Sequence, residues 1–352
     1  IGGFRLRYGR SRFTGIAAKG FSPATMILLD SFIGIGTQLK VELPGKGCVA
    51  MPVDTIEGPF VRLKDGTALR INSAEEAMRL KDQVEEIISV GDILITFGDF
   101  RKTNTLLEPS SYVEEYWQKQ LENAGYSIDL EKVLGMGFDE ALELSLKYNV
   151  SMHPRFLYEF QAVTLQELFN LASQIAKDSE LEGKALNEVE NAIIENEKGA
   201  KATLELLNVP HRLEGNKIVV EKDYAKSLLV SLGFAEGNRI NLERGIAKLS
   251  ESMEKANSAL ELANMVSEVK LMKRSTFIGA RIGRPEKARE RMMQPTPNAL
   301  FPIGTFGGRE RNIINAYEQE ANRFEKQKIK VEIARYKCTT CNRIVGTPYC
   351  YD

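Results

Sequence analysis

Lys40 and Lys46 flank a Pro44-Gly45 turn, and Gly45-Lys46-Gly47 sets an ammonium beside open backbone amides. That combination can cradle phosphate. It is not a Walker loop, because Gly47 follows Lys46 where a Ser or Thr would hold the metal. An exposed hairpin lysine is the competing reading. A second cluster, Arg5, Arg7, Arg10 and Arg12, alternates with Phe4, Leu6 and Tyr8. It suits phosphate and base contacts, or else a charged edge strand. A third gathers Arg281, Arg284, Lys287, Arg289 and Arg291 against only Glu286 and Glu290. Gly279 and Gly283 there let a backbone approach a phosphate closely, and a solvated basic helix is the alternative. The fourth is Cys338-x-x-Cys341, with Cys350 after eight further residues. Two thiolates from one tight turn can take two corners of a structural zinc site. A second knuckle opening at Cys350 would place its fourth ligand just past Asp352, so the chain reads as a slice of a longer protein.

Other chemistries find little support. His153 and His211 show no ligand spacing; His153 reads as a packed loop histidine, with a functional His153-Pro154-Arg155 as the alternative, and Cys48 reads as a buried or free thiol. No Asp-x-Asp pair occurs. Two-metal phosphoryl transfer needs clustered carboxylates, so this stretch alone is expected to be inactive in such a reaction. With 43% apolar and 27% charged residues the composition is that of a globular protein. No apolar run is long enough to span a membrane. Three of the four cysteines carry metal spacing, which points to a reducing compartment, the cytoplasm. The net charge of -1 hides a division: residues 111–270 carry 17 bases against 27 acids, residues 271–352 carry 16 against 8. Basic ends suit a polyanion and the acidic middle suits solvent or a partner.

These clusters need elements to hold them. Residues 24–30, 36–43 and 60–63 read as strands, and Asp65-Gly66 marks a hairpin returning over 68–72. A capped helix is expected from 74 to about 89, then a strand over 91–98. Helical spacing covers 112–124, 139–148, 164–177, 187–207, 222–232 and 241–269, with a small hairpin at 211–221. Residues 271–311 read as irregular, 312–327 as helix and 328–336 as a strand leading to the cysteines.

Several segments together resemble one family. They are GGFRLRYGRSR (2–12), IGTQLK (35–40), PGKG (44–47), GDILI (91–95), GDF (98–100) and SYVEEYW (111–117). KYNVSMHPR (147–155), FIGARIGRPEKA (277–288) and LFPIG (300–304) continue in the same order. The sequence resembles the large subunit of archaeal family D DNA polymerase over essentially its whole length. The resemblance implies an α+β fold: a double-psi β-barrel like that of multisubunit RNA polymerases, a mainly helical accessory region and the start of a zinc-binding module. Lys40 and Lys46 then match the lysine-bearing loop that stabilises phosphates of the nucleotide or primer end. The Mg²⁺-binding aspartates of the family belong to a second barrel that this sequence does not contain.

The expected domains are 1–105 for the barrel with its basic strand and 106–270 for the helical region. A basic DNA-contacting segment over 271–330 and a zinc module over 331–352 complete them. The expected function is DNA-directed DNA polymerisation by the full heterodimer. Its partners would be primer-template DNA, deoxynucleoside triphosphates and a small exonuclease subunit, with a sliding clamp as a further candidate. Zn²⁺ would be structural here and Mg²⁺ would be bound elsewhere. A non-catalytic nucleic-acid-binding module and a divergent RNA-polymerase-like subunit are the alternatives.

Overall fold

The arginine-rich opening forms the first strand, β1 (Phe4–Tyr8). It is followed by β2 (Ala18–Phe21), helix α1 (Pro23–Leu28), β3 (Gln38–Val41) and β4 (Gly47–Pro52). Next come β5 (Phe60–Leu63), β6 (Ala68–Arg70), α2 (Ala74–Leu80), β7 (Val84–Ser89), β8 (Asp92–Ile95) and α3 (Phe97–Lys102). The computed structural model describes residues 3–10, 18–30, 33–183, 185–197, 199–282, 313–324 and 335–345. The chain divides into two units, Ile1–Arg284 and Pro285–Asp352.

Two expectations in this stretch are corrected. Residues 24–30 do not form a strand; Pro23 presets the first turn of α1 with its fixed φ. A short apolar run fits either state, so periodicity could not choose. The capped helix begins where expected, with Ser73 Oγ accepting the Glu76 amide at 3.1 Å. It stops at Leu80, however, because Val84, Ile87 and their neighbours pair with β5 as β7. The Asp65-Gly66 hairpin joins β5 to β6 as expected, and Gly66 takes the positive φ of 87° that the turn needs.

The helical body packs α4 (Glu114–Asn123), α5 (Leu130–Leu134), α6 (Phe138–Lys147) and α7 (Leu165–Asp178). It continues through β9 (Ser179–Glu182), β10 (Asn191–Glu195), α8 (Ala200–Leu206), β11 (Arg212–Glu214) and β12 (Lys217–Glu221). Then follow α9 (Lys222–Ser231), a hairpin of β13 (Ala235–Glu236) and β14 (Arg239–Ile240), α10 (Leu242–Met253) and α11 (Ala259–Val266). The expected helix over 187–207 is in fact β10 followed by α8, since residues 191–195 pair with both β9 and β12. The expected helix over 241–269 is two, the second restarting where Ser258 caps the Glu261 amide at 3.2 Å. Trp117, Phe138, Phe156 and Phe160 are at most 1% exposed in this body. Burial of each such side chain contributes about 1.5–3 kcal/mol. Among the described residues no helix is long and apolar enough to cross a membrane.

The chain then returns to the first sheet. Residues expected to be irregular form β15 (Phe277–Ile278) and β16 (Ala280–Ile282). The sheet order is β15-β1-β8-β2-β4-β3-β16. Its two edge strands are therefore consecutive in the chain, separated only by Gly279. The Glu42 amide donates to Gly279 O at 2.7 Å and the Gly279 amide to Glu42 Oε2 at 3.2 Å. A Cβ on Gly279 would lie 2.7 Å from that carboxylate oxygen. The result is a mixed α+β fold with a nearly closed, barrel-like sheet. Leu6, Phe21, Leu39, Val41, Ile93, Ile95 and Phe100 fill its interior, all at most 1% exposed. In the second unit, α12 (Ile313–Phe324) and a hairpin of β17 (Tyr336–Lys337) and β18 (Ile344–Val345) are described.

Candidate nucleic-acid interface

Strand alternation decides where Lys40 points. Leu39 and Val41 turn into the barrel, so Lys40 between them faces out and is exposed. The register sets Lys40 opposite Gly47 on β4 and opposite Arg281 on β16. Arg281 is exposed as well. Like charges placed directly across a strand pair repel. Here they border a shallow cavity of about 420 Å³ with Glu42 and Gly279. Two basic sites nominated separately from the sequence therefore meet on one face, and the Glu42 carboxylate on the same cavity offsets only one of their two charges.

Lys46 sits beside Gly47, after the Pro44-Gly45 turn in which Gly45 adopts a φ of 77°. Its Nζ lies 3.3 Å from Asp99 Oδ1, and its side chain is 30% exposed. The other Asp99 oxygen takes the ammonium of Lys19, which is fully buried. Burial pushes the Asp99 carboxyl up, but the hydrogen bonds and charges of Lys19 and Lys46 outweigh it and hold it below the usual range. Burial lifts the neighbouring Cys48 thiol to about 11, against the pull of Lys19. Cys48 is therefore a neutral thiol at physiological pH. Lys19 and Asp99 were missed in the sequence. A lone lysine inside the apolar run around Ala18 and Phe21 was the available signal.

The arginines of β1 divide. Arg5 is 3% exposed, and its guanidinium binds Asp92 through Nε at 2.5 Å and reaches Glu57 at 3.5 Å. Arg7 binds both Glu115 oxygens at 2.7 Å and lies 3.6 Å from Asp92 and Glu114. Both guanidiniums are thus engaged by carboxylates rather than open to solvent. The physical reason is position. β1 lies between β15 and β8, not at an edge, and Glu114 and Glu115 of α4 meet Arg7. Arg10 is exposed. Arg12, Arg284, Lys287, Arg289 and Arg291 lie outside the described residues.

A buried ionic joint accounts for the inward arginines. Arg274 Nη2 meets both Glu57 oxygens at 2.7 and 2.8 Å, and its Nη1 meets Glu159 at 3.0 Å. Arg70 adds a third guanidinium to Glu57 at 3.2 Å. Burial would raise the Glu57 carboxyl, but Arg274, Arg5 and Arg70 together hold it well below the carboxylate range. His153, 1% exposed, is likewise structural. Its Nδ1 accepts the Arg155 amide at 3.1 Å and its Nε2 lies 3.2 Å from Val133 O, and burial lowers it to about 4.

In the second unit, Cys338 and Cys341 occupy the tip of the β17–β18 hairpin. Cys338 Sγ accepts amide hydrogens from Thr340 at 3.4 Å and Cys341 at 3.5 Å. Such donors suit a thiolate that ligates a metal. Cys350 lies outside the described residues, and among those described no group of three His, Cys, Asp or Glu could hold a metal ion.

The family model described as DNA polymerase II large subunit DP2, central domain, matches residues 1–351. The chain belongs to this family. Proteins named DNA polymerase II large subunit are similar across 97% of the chain: that of Methanothermobacter thermautotrophicus is 39% identical, that of Archaeoglobus fulgidus 40% and that of Methanococcoides burtonii 42%. The chain spans only 28–29% of the length of these three relatives. The resemblance carried by the opening, the PGKG turn and the 277–288 segment is thus one to the central domain of DNA polymerase II large subunits.

Proposed function

We propose that this domain supplies the lysine-bearing barrel and part of the DNA-contacting surface of a replicative DNA polymerase. The observation that carries the reading is Lys40 opposite Arg281, with Lys46 beside Gly47 at the same end of the barrel. In the complete enzyme a primer 3′-hydroxyl attacks the α-phosphate of a deoxynucleoside triphosphate, and pyrophosphate leaves. Lys40 and Lys46 neutralise charge on the phosphates as it develops. Mg²⁺ held by aspartates outside this chain would supply the Lewis-acid chemistry there. The mixture of parallel and antiparallel pairs around a closing sheet supports a double-psi barrel. The other partners of this reading are the small exonuclease subunit and a sliding clamp.

Phosphate-dominated binding weakens steeply with salt. Fluorescence anisotropy with duplex DNA of unrelated sequences should show affinity falling by a factor of at least about 10 between 50 and 200 mM salt. Lys40→Glu with Arg281→Glu should weaken binding further and flatten the salt slope by about one to two units. Salt-independent affinity, or no effect of the double reversal, would exclude this face as a DNA contact.

Cys338, Cys341 and Cys350 are assigned to a structural zinc, which the amide donors to Cys338 Sγ support. In the complete subunit, Cys338→Ser or Cys341→Ser should lower bound zinc by about one equivalent, measured by elemental analysis. Unchanged zinc content in both variants would remove the knuckle from the metal site.

A further inference from the structure

The turn from β8 into α3 leaves one aromatic ring in the open. Phe97 is 57% exposed, yet it is not loose. Its ring stacks on Tyr8 with centroids 4.4 Å apart and planes 13° from parallel. Tyr8 is fixed in turn: its hydroxyl donates to Glu108 O at 2.7 Å, and its ring meets the fully buried Phe100 edge-on at 5.6 Å. One face of Phe97 therefore rests on an anchored ring and the other faces solvent. A lone exposed ring is ordinary; one held flat by an anchored neighbour presents a fixed π-face to a planar partner.

The surroundings point to the occupant. Arg101 and Lys102 are exposed on α3, and Arg10 is exposed two positions after Tyr8, whose strand runs parallel to β8 in register with Ile95. The acid of α3, Asp99, is already neutralised by Lys19 and Lys46. A preorganised ring face, with exposed Arg101 and Lys102 on its own short helix and the one acid of that helix paired, matches a nucleobase whose strand carries phosphates, although the Glu108 carboxylate also acts on Tyr8. A neutral apolar protein surface would gain nothing from those cations. We infer that Phe97, braced by Tyr8, is a stacking platform for an unpaired base of a nucleic-acid strand. The same short helix positions Lys46 through Asp99, so the platform adjoins the lysine loop. The inference rests on the nucleic-acid reading of that loop and adds an element that phosphate contacts do not supply.

The test separates base from backbone. Binding of an oligothymidylate is compared with that of an abasic oligonucleotide of equal length at low salt. Stacking of one base should favour the oligothymidylate by about 5- to 150-fold. Phe97→Ala should abolish that preference and leave abasic binding unchanged; Phe97→Tyr should keep it. Phe97→Trp reports directly, because the chain's one native tryptophan, Trp117, is fully buried. The introduced indole should be quenched by oligothymidylate and not by the abasic strand in this chain and, read as the difference from the unaltered protein, in the complete subunit. Equal affinity of the unaltered chain for the two strands overturns the platform while leaving the phosphate reading intact. Binding of neither strand overturns both. A buried, unresponsive indole in the complete subunit means that protein covers the ring, and that also overturns it.

Discussion

Glu57→Gln is expected to destabilise the domain strongly. Three guanidiniums, those of Arg5, Arg70 and Arg274, converge on this carboxylate, which is 15% exposed. Removing its charge takes from Arg70 its ion pair and leaves Arg5 to Asp92 and Arg274 to Glu159 in a poorly solvated joint, and breaking a buried pair in this way costs about 3–5 kcal/mol. The loss should register as a lower midpoint in urea unfolding at neutral pH. Acid should reach the same end. The folded-state carboxyl sits below its unfolded value, so its contribution is complete above about pH 4.3 and disappears as pH falls below that. The variant should therefore lose less stability than the unaltered chain on going from pH 5 to pH 3. A variant as stable as the parent at neutral pH would show that the joint contributes no net stability.

Lys46→Ala is expected to slow nucleotide incorporation by the complete polymerase by about 30- to 1000-fold, which corresponds to losing about 2–4 kcal/mol of transition-state stabilisation. Its melting temperature should barely change. Asp99 keeps Lys19 as a partner when Lys46 is removed, so no buried charge is orphaned. Lys40→Ala should behave alike, because Lys40 points outward and packs little. Single-turnover incorporation at saturating nucleotide separates chemistry from binding. Incorporation at the parental rate by the double alanine variant would take both lysines out of the active site.

The outward face of Lys40 was legible because strand alternation between Leu39 and Val41 leaves only one direction for it. The β5–β6 hairpin was legible because Asp65-Gly66 dictates a turn. What escaped notice depends on distant residues. Arg5 and Arg7 look like solvent-facing arginines until Glu57, Asp92, Glu114 and Glu115 arrive from far along the chain, and no local spacing announces those partners. β7 and β10 read as helix although Val84, Ile87, Ile88, Ile193 and Ile194 favour strand, because the apolar spacing there also fits a helix face and pairing with neighbouring strands decides between the two. The Lys40–Arg281 pairing needed the closure of a sheet, which no window of sequence contains.

Closure through Gly279 also imposes a timetable on the nascent chain. The Gly279–Glu42 hydrogen bond joins residues 237 positions apart, and the strands on either side of Gly279 supply both edges of the sheet. At about 5–20 residues per second, some 12–50 s of translation separate the two halves of that seam. The helical body lies wholly in that interval, and its core draws only on residues 112–271. Its two ends are gathered at a single residue: the Leu6 carbonyl accepts the Ser111 amide at 3.0 Å, and the Leu6 amide donates to Thr276 O at 2.7 Å. The body is thus an insertion that can consolidate on the ribosome while the barrel waits, open along one side, for its last two strands.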